Sequence, residues 1–305
     1  MRHIAIAITL CTPFSVHADE LGDRVKSLTR GTEWQAVETV PVQFSTHHPQ
    51  GMAIIGDHIF VSSVEIVTPT ENYDAPRDGM DRSAGEGVGH LFKMDMEGNL
   101  VDSITLADGD IYHPGGIDFD GENLWVPVAE YRPNSASIVY RVDPETMEAE
   151  EVFRYPDHIG GILRDPASDT LHAVSWGSRR FYGFTLDEAG TVTNADIPRD
   201  ELMVPNPSHY VDYQDCQLAA PGQALCTGIA KYGVNDTEFA LGGAELIDLK
   251  GNRPIHQAPV PLWTEDGLVM THNPVWMAPV EGGLRAWFMP EDDESRIFVY
   301  EARLD

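Results

Sequence analysis

Five histidines recur where a strand-like segment is about to begin: His48, His113, His158, His209 and His272. Imidazoles that converge on one point offer what a transition metal takes, nitrogen donors at about 2.0–2.1 Å for zinc. Two carboxylates travel with them. Glu65 and Glu130 each close a segment that follows a His. A carboxylate beside an imidazole can orient it or act as a general base. The chemistry to expect is metal-assisted activation of a small molecule, with the five His as ligands and Glu65 or Glu130 as base. The architectural reading stands beside it: a repeated His can hydrogen-bond between strands in every unit, and the Glu pair can cap strand ends or form ion pairs.

The elements that must position these residues are legible as a repeat. His48 to Glu65 reads HPQGMAIIGDHIFVSSVE, and His113 to Glu130 reads HPGGIDFDGENLWVPVAE. The two align without a gap, sharing His, Pro, two Gly, a Val and the final Glu. A third unit keeps HIGG at His158–Gly161, whereas the fourth and fifth keep the His without the Gly residues. The five His are separated by 65, 45, 51 and 63 residues. Between them lie alternating apolar and polar runs, such as Leu91–Asp95, Val139–Asp143 and Ile297–Glu301, with the period of a β-strand. Five units of this length make a five-bladed β-propeller, all-β, with four-stranded antiparallel blades. After His272 there is room for three strands, so the opening strand Trp34–Phe44 is expected to complete the last blade. In such a ring the five His surround the mouth of the central channel, and Glu65, Glu130 and Glu291 stand on the same face.

The domain plan is a secretory signal over residues 1–18, a polar lead over 19–32 and one propeller over 33–305. Arg2 and His3 precede an apolar run, Ile4–Leu10, and Val16-His17-Ala18 supplies a small-residue cleavage site. That run is too short to span a bilayer, so a periplasmic or secreted protein without membrane insertion is expected. The lead reads as irregular or as a single helical turn. Forty-nine acidic residues face 20 basic ones, a net charge of −29. Such a surface repels nucleic acid and anionic lipid. Cys216 and Cys226 flank a turn at Pro221-Gly222 and are expected to form a structural disulfide in an oxidising compartment.

Cations in this acidic chain follow the strands that end on the His face: Arg132, Arg179 and Lys231, with Arg77 and Arg82 in the long loop Val67–Val88. They suit a small anionic substrate, Trp176 suits the wall of its pocket, and the long loop suits a lid. No phosphate loop, nucleophile elbow or HExxH motif is present.

The HPxG start, the later LWVxVxE run and the signal together resemble an uncharacterised family of secreted bacterial β-propellers, over about residues 33–305. More distantly the chain is similar to gluconolactonase-like, strictosidine-synthase-like and amidating-lyase propellers. That resemblance implies a calcium, zinc or iron ion on the axis. The calcium group uses Glu, Asn and Asp ligands, so a His set implies zinc or iron rather than calcium. The resulting expectation is a monomeric, metal-dependent hydrolase or lyase. The alternative is a non-catalytic ligand- or protein-binding propeller with a structural His ring.

Overall fold

The computed structural model describes residues 15–235 and 237–304, so most of the expected secretory signal, residues 1–14, lies outside the described residues. The chain opens with a helix, α1 (Ser15–Lys26), and a strand, β1 (Trp34–Pro41). The first sheet runs through β2 (His48–Ile55) and β3 (His58–Thr68). A separate hairpin follows, β4 (Asn72–Arg77) and β5 (Met80–Arg82), and then the sheet resumes with β6 (Glu86–Asp95) and β7 (Leu100–Thr105). The second holds β8 (Ile111–Pro114), β9 (Asp118–Phe119), β10 (Leu124–Glu130), β11 (Ser137–Val142) and β12 (Ala149–Tyr155). The third holds β13 (Ile159–Asp165), β14 (Thr170–Ser175) and β15 (Arg180–Thr185). It ends, after the single turn α2 (Arg199–Leu202), in β16 (Val204–Pro205). The fourth holds β17 (Asp212–Ala220), β18 (Gln223–Val234), β19 (Thr237–Asp248) and β20 (Arg253–Val260).

The fifth sheet contains β21 (Val275–Val280), β22 (Gly283–Phe288) and β23 (Arg296–Arg303). Its outer place is taken by β1, paired antiparallel to β23 from Trp34↔Ala302 to Pro41↔Arg296. The molecule is therefore an all-β, five-bladed propeller whose last blade is closed by the N-terminal strand. Closure joins the first and last blades and leaves only the outer strand of each blade as a sheet edge.

Strand alternation builds the core between blades. Successive side chains on a strand point to opposite faces, so Phe60 joins a cluster with the second blade while Ile59 and Val61 join one with the fifth. The same rule gives one apolar cluster in each of the five gaps. Cys216 and Cys226 face each other across β17 and β18 and form the expected disulfide.

The lead segment differs from its sequence reading, because α1 extends through Lys26 as a regular helix. Leu21, Val25 and Leu28 supply the reason. Spaced by four and three, they form one apolar stripe, buried against Ala219, Met277 and Phe288 of the fourth and fifth blades. The Nε2 of His256 bonds the Leu28 carbonyl at 2.8 Å and holds the segment that follows.

Inner strands meet closely on the axis. A Cβ on Gly51 would lie 2.5 Å from the Ile117 nitrogen, and one on Gly115 would lie 2.3 Å from the Gly160 oxygen. Gly51, the repeated Gly of HPxG, and Gly115, next to its counterpart Gly116, thus serve close approach of backbones. Below them the axis is filled. Asp215 Oδ2 accepts from the Met52 amide at 2.8 Å, and Asp118 Oδ2 accepts from the Leu218 amide at 3.0 Å. Gln217 bonds both the amide and the carbonyl of Met277. All three side chains are buried. They separate a polar cavity on the upper face, where the inner strands begin, from an apolar one on the lower face lined by Phe119, Leu218 and Trp276.

Candidate functional site

The upper cavity has a volume of about 510 Å³ and is lined by His48, His113, His158 and His272 together with Tyr131, Trp176, Asp212 and Lys231. Strand register explains the first three. His48 pairs with Val64 and His113 with Ala129, and His158 stands one residue ahead of Ile159, which pairs with Ser175. An extra residue follows in the first and third inner strands, at Gln50 and Gly160. Such a bulge re-aims the neighbouring side chain.

The imidazoles differ in what holds them. His48 Nδ1 donates to Asp292 Oδ1 at 2.8 Å, and His158 Nδ1 donates to the Glu130 carbonyl at 2.8 Å. His272 Nδ1 donates more weakly to the Pro290 carbonyl at 3.4 Å. Each partner only accepts, so Nδ1 carries a proton and Nε2 is the nitrogen left for another partner. This is how metal-ligating His side chains are commonly oriented. His113 is 5% exposed, and neither of its nitrogens has a hydrogen-bond partner. It stacks on Tyr131 at 4.2 Å, and its ring centre lies 6.0 Å from that of His158.

Burial dominates the electrostatics. It holds His113 well below the ordinary imidazole value, helped by the nearby His158 and His48. Burial also brings His158 down to about 4, against the opposing bond to the Glu130 carbonyl, and lowers His272. These three are neutral near pH 7.

The remaining sequence candidates are distributed differently. His209 lies outside the cavity lining. Its Nδ1 accepts from Arg179 at 2.8 Å, so its proton resides on Nε2. The register explains the substitution: β17 has its extra residue at Gln214, and counting back as in the other inner strands gives Asp212, not His209. Arg179 also donates to the Ser208 carbonyl and to Asp212, and Arg132 is paired with Glu130. Glu291 is paired with Arg296. Lys231 is exposed, with no ion-pair partner among the described residues. Trp176 is projected over the mouth by a turn in which Gly177 has φ 57° and Ser178 φ 53°. It packs edge-on to His158 at 4.8 Å and carries Arg82 of the β4–β5 hairpin over its ring at 4.9 Å. The long first loop therefore reaches across to the third blade.

Glu65 belongs to another group. Its Oε2 lies 3.9 Å from His47 Nε2 and 3.4 Å from His90 Nε2. Among the described residues, these are the three His, Cys, Asp or Glu side chains whose ligand atoms all lie within 4.8 Å of one another. No three imidazoles of the mouth meet that condition. His47, His90 and Asp292 were outside the repeat pattern. The His47-His48 doublet was the one sequence signal for His47, and the cross-strand placement of His90 left none.

A family model described as "Family of unknown function (DUF6454)" matches residues 5–305. No curated protein matches the sequence. Among solved structures, the chain is similar to a luciferin-regenerating enzyme at 9% identity and TM-score 0.48, covering 90% of this chain and 95% of that one. It is also similar to hydrazine synthase of Kuenenia stuttgartiensis at 12% identity and TM-score 0.39, over 87% of this chain and 68% of that one. A periplasmic gluconolactonase of Pseudomonas aeruginosa matches at 12% identity and TM-score 0.36, over 85% and 89%.

Proposed function

This chain belongs to the DUF6454 family of unknown function, and on that premise we propose a metal-dependent hydrolase or lyase acting on a small anionic molecule at the upper mouth. The observation that carries the reading is the state of its imidazoles. Three are tied through Nδ1, which leaves Nε2 as the donor atom, and the buried His113 has both nitrogens unpartnered. A buried polar group without a partner costs about 1–3 kcal/mol, and a bound ion or ligand would remove that cost. Neutral imidazoles present no proton for an ion to displace. Nitrogen donors suit zinc or iron, whereas calcium takes oxygen.

His48, His113, His158 and His272 would hold the ion, which supplies Lewis-acid polarisation of a substrate oxygen. The other roles fall to the chain. Lys231 holds the anionic group at the rim, and Tyr131 and Trp176 wall off water. Asp212, the carboxylate that lines the cavity, accepts the proton. Glu130 acts through its backbone, by fixing His158. Export to the periplasm or medium is part of the same reading, supported by the Cys216–Cys226 disulfide.

A second reading is a non-catalytic ligand-binding propeller. It is favoured by the spread of the mouth imidazoles, no three of which bring donor atoms within 4.8 Å. Metal analysis and a turnover panel of lactones, esters and phosphoesters separate the two. The enzyme reading expects a stoichiometric transition metal that is lost in His113→Ala, and turnover that is lost in Asp212→Asn. Protein without such a metal, in which His113→Ala changes neither thermal midpoint nor ligand binding, would sink it.

A further inference from the structure

We propose a second transition-metal site, separate from the mouth, formed by His47, Glu65 and His90 at the root of the β4–β5 hairpin. Two imidazoles and a carboxylate are a known three-ligand set for zinc, one that keeps an open fourth position. The spacing agrees with it. Metal–ligand bonds of about 2.0–2.1 Å in a tetrahedral site place neighbouring ligand atoms about 3.3 Å apart. The observed separations from Glu65 Oε2 are 3.4 and 3.9 Å, longer than a good N–H···O bond. None of the three residues lines the upper cavity.

The backbone is arranged to divide two adjacent histidines between two places. His47 has φ 55°, uncommon for a residue with a side chain, and its carbonyl accepts from the Asp293 amide at 2.6 Å. His48 then reaches Asp292 and the mouth, while His47 stacks on His90 at 5.1 Å. His90 in turn stacks on Phe92 at 5.2 Å, which fixes its ring. Glu65 pairs with Val88, and Ser63 with His90, on the two strands that flank the hairpin. An ion here clamps the base of the segment that carries Arg82 to Trp176. This inference does not depend on the mouth holding a metal.

The test is a titration of chelator-stripped full-length protein with Zn²⁺ and Co²⁺, counted by equilibrium dialysis and by visible Co²⁺ absorption. Glu65→Gln and His90→Ala are each expected to bind one equivalent fewer than wild type and to lose the tetrahedral Co²⁺ absorption that remains in His113→Ala. His113→Ala, which probes the mouth, is expected to keep that band. Zn²⁺ is expected to slow trypsin cleavage at the exposed Arg77 in wild type and not in Glu65→Gln. Wild-type stoichiometry and absorption in both Glu65→Gln and His90→Ala overturn the site. Loss of all Co²⁺ absorption in His113→Ala instead assigns every ion to the mouth and overturns it equally. Glu65→Gln, a near-isosteric change on a partly exposed side chain, keeps the test intact should His90→Ala fold poorly.

Discussion

At the scale of single residues, the two buried aspartates on the axis tie the stability of the fold to pH. Burial holds Asp215 well above its ordinary carboxyl value of 3.8, opposed by amide bonds from Met52 and Cys216 and reinforced by Asp118. Asp118 is raised in the same way, mainly by burial. The sign follows from linkage. A raised folded value means that the folded state keeps a proton which the unfolded chain releases. That contribution to stability is complete below the unfolded value and is lost as pH rises through the folded one. Asp215→Asn retains an acceptor oxygen and removes the titration. Urea midpoints of the variant are therefore expected to fall less than those of wild type as pH is raised from about 4 toward neutrality. Parallel curves would count against this role.

At the scale of elements, the β4–β5 hairpin reaches the third blade through Arg82 on Trp176 and the second through the Asn134 side-chain amide, which bonds the Gly79 carbonyl at 2.8 Å. A cation–π contact of this kind is worth about 0.5–1 kcal/mol when exposed. Arg82→Ala is expected to speed trypsin cleavage at Arg77 roughly two- to fivefold by raising the open population. The global thermal midpoint should stay unchanged, because the hairpin is outside the five blade sheets. A shift of the midpoint without faster cleavage would contradict the assignment. The blades themselves could be read from sequence, because HPxG and the strand period repeat together, and the missing outer strand of the fifth unit pointed to Trp34. The fourth unit was harder. It has no Gly landmark, so the nearest imidazole, His209, stood in for Asp212, and the bulge at Gln214 becomes visible only through pairing. Likewise Asn273, buried ahead of Pro274, occupies the place that His48 holds ahead of Pro49. The His47–Glu65–His90 group joins residues on three separate segments, and no periodicity records that. The stripe of Leu21 and Val25 on α1, continued by Leu28 just beyond its end, is three residues in a polar stretch, too little to signal a helix without the blades it covers.

At the scale of the whole molecule, stability rests on ring closure by β1. Deleting residues 1–41 uncovers the full edge of β23, eight residues long. An uncovered edge is a template for strand addition, so the truncated protein is expected to self-associate in size-exclusion chromatography while the intact chain does not. A monomeric truncation of wild-type stability would refute the closure argument.

The filled axis also sets the traffic of any ligand. Asp118, Asp215 and Gln217 stand between the upper and lower cavities, and all three are buried. The upper cavity is thus a cul-de-sac. On the enzyme reading proposed above, a product leaves by the opening through which its precursor arrived, past Trp176. On that reading occupancy by one excludes the other, so inhibition by product is expected to be competitive.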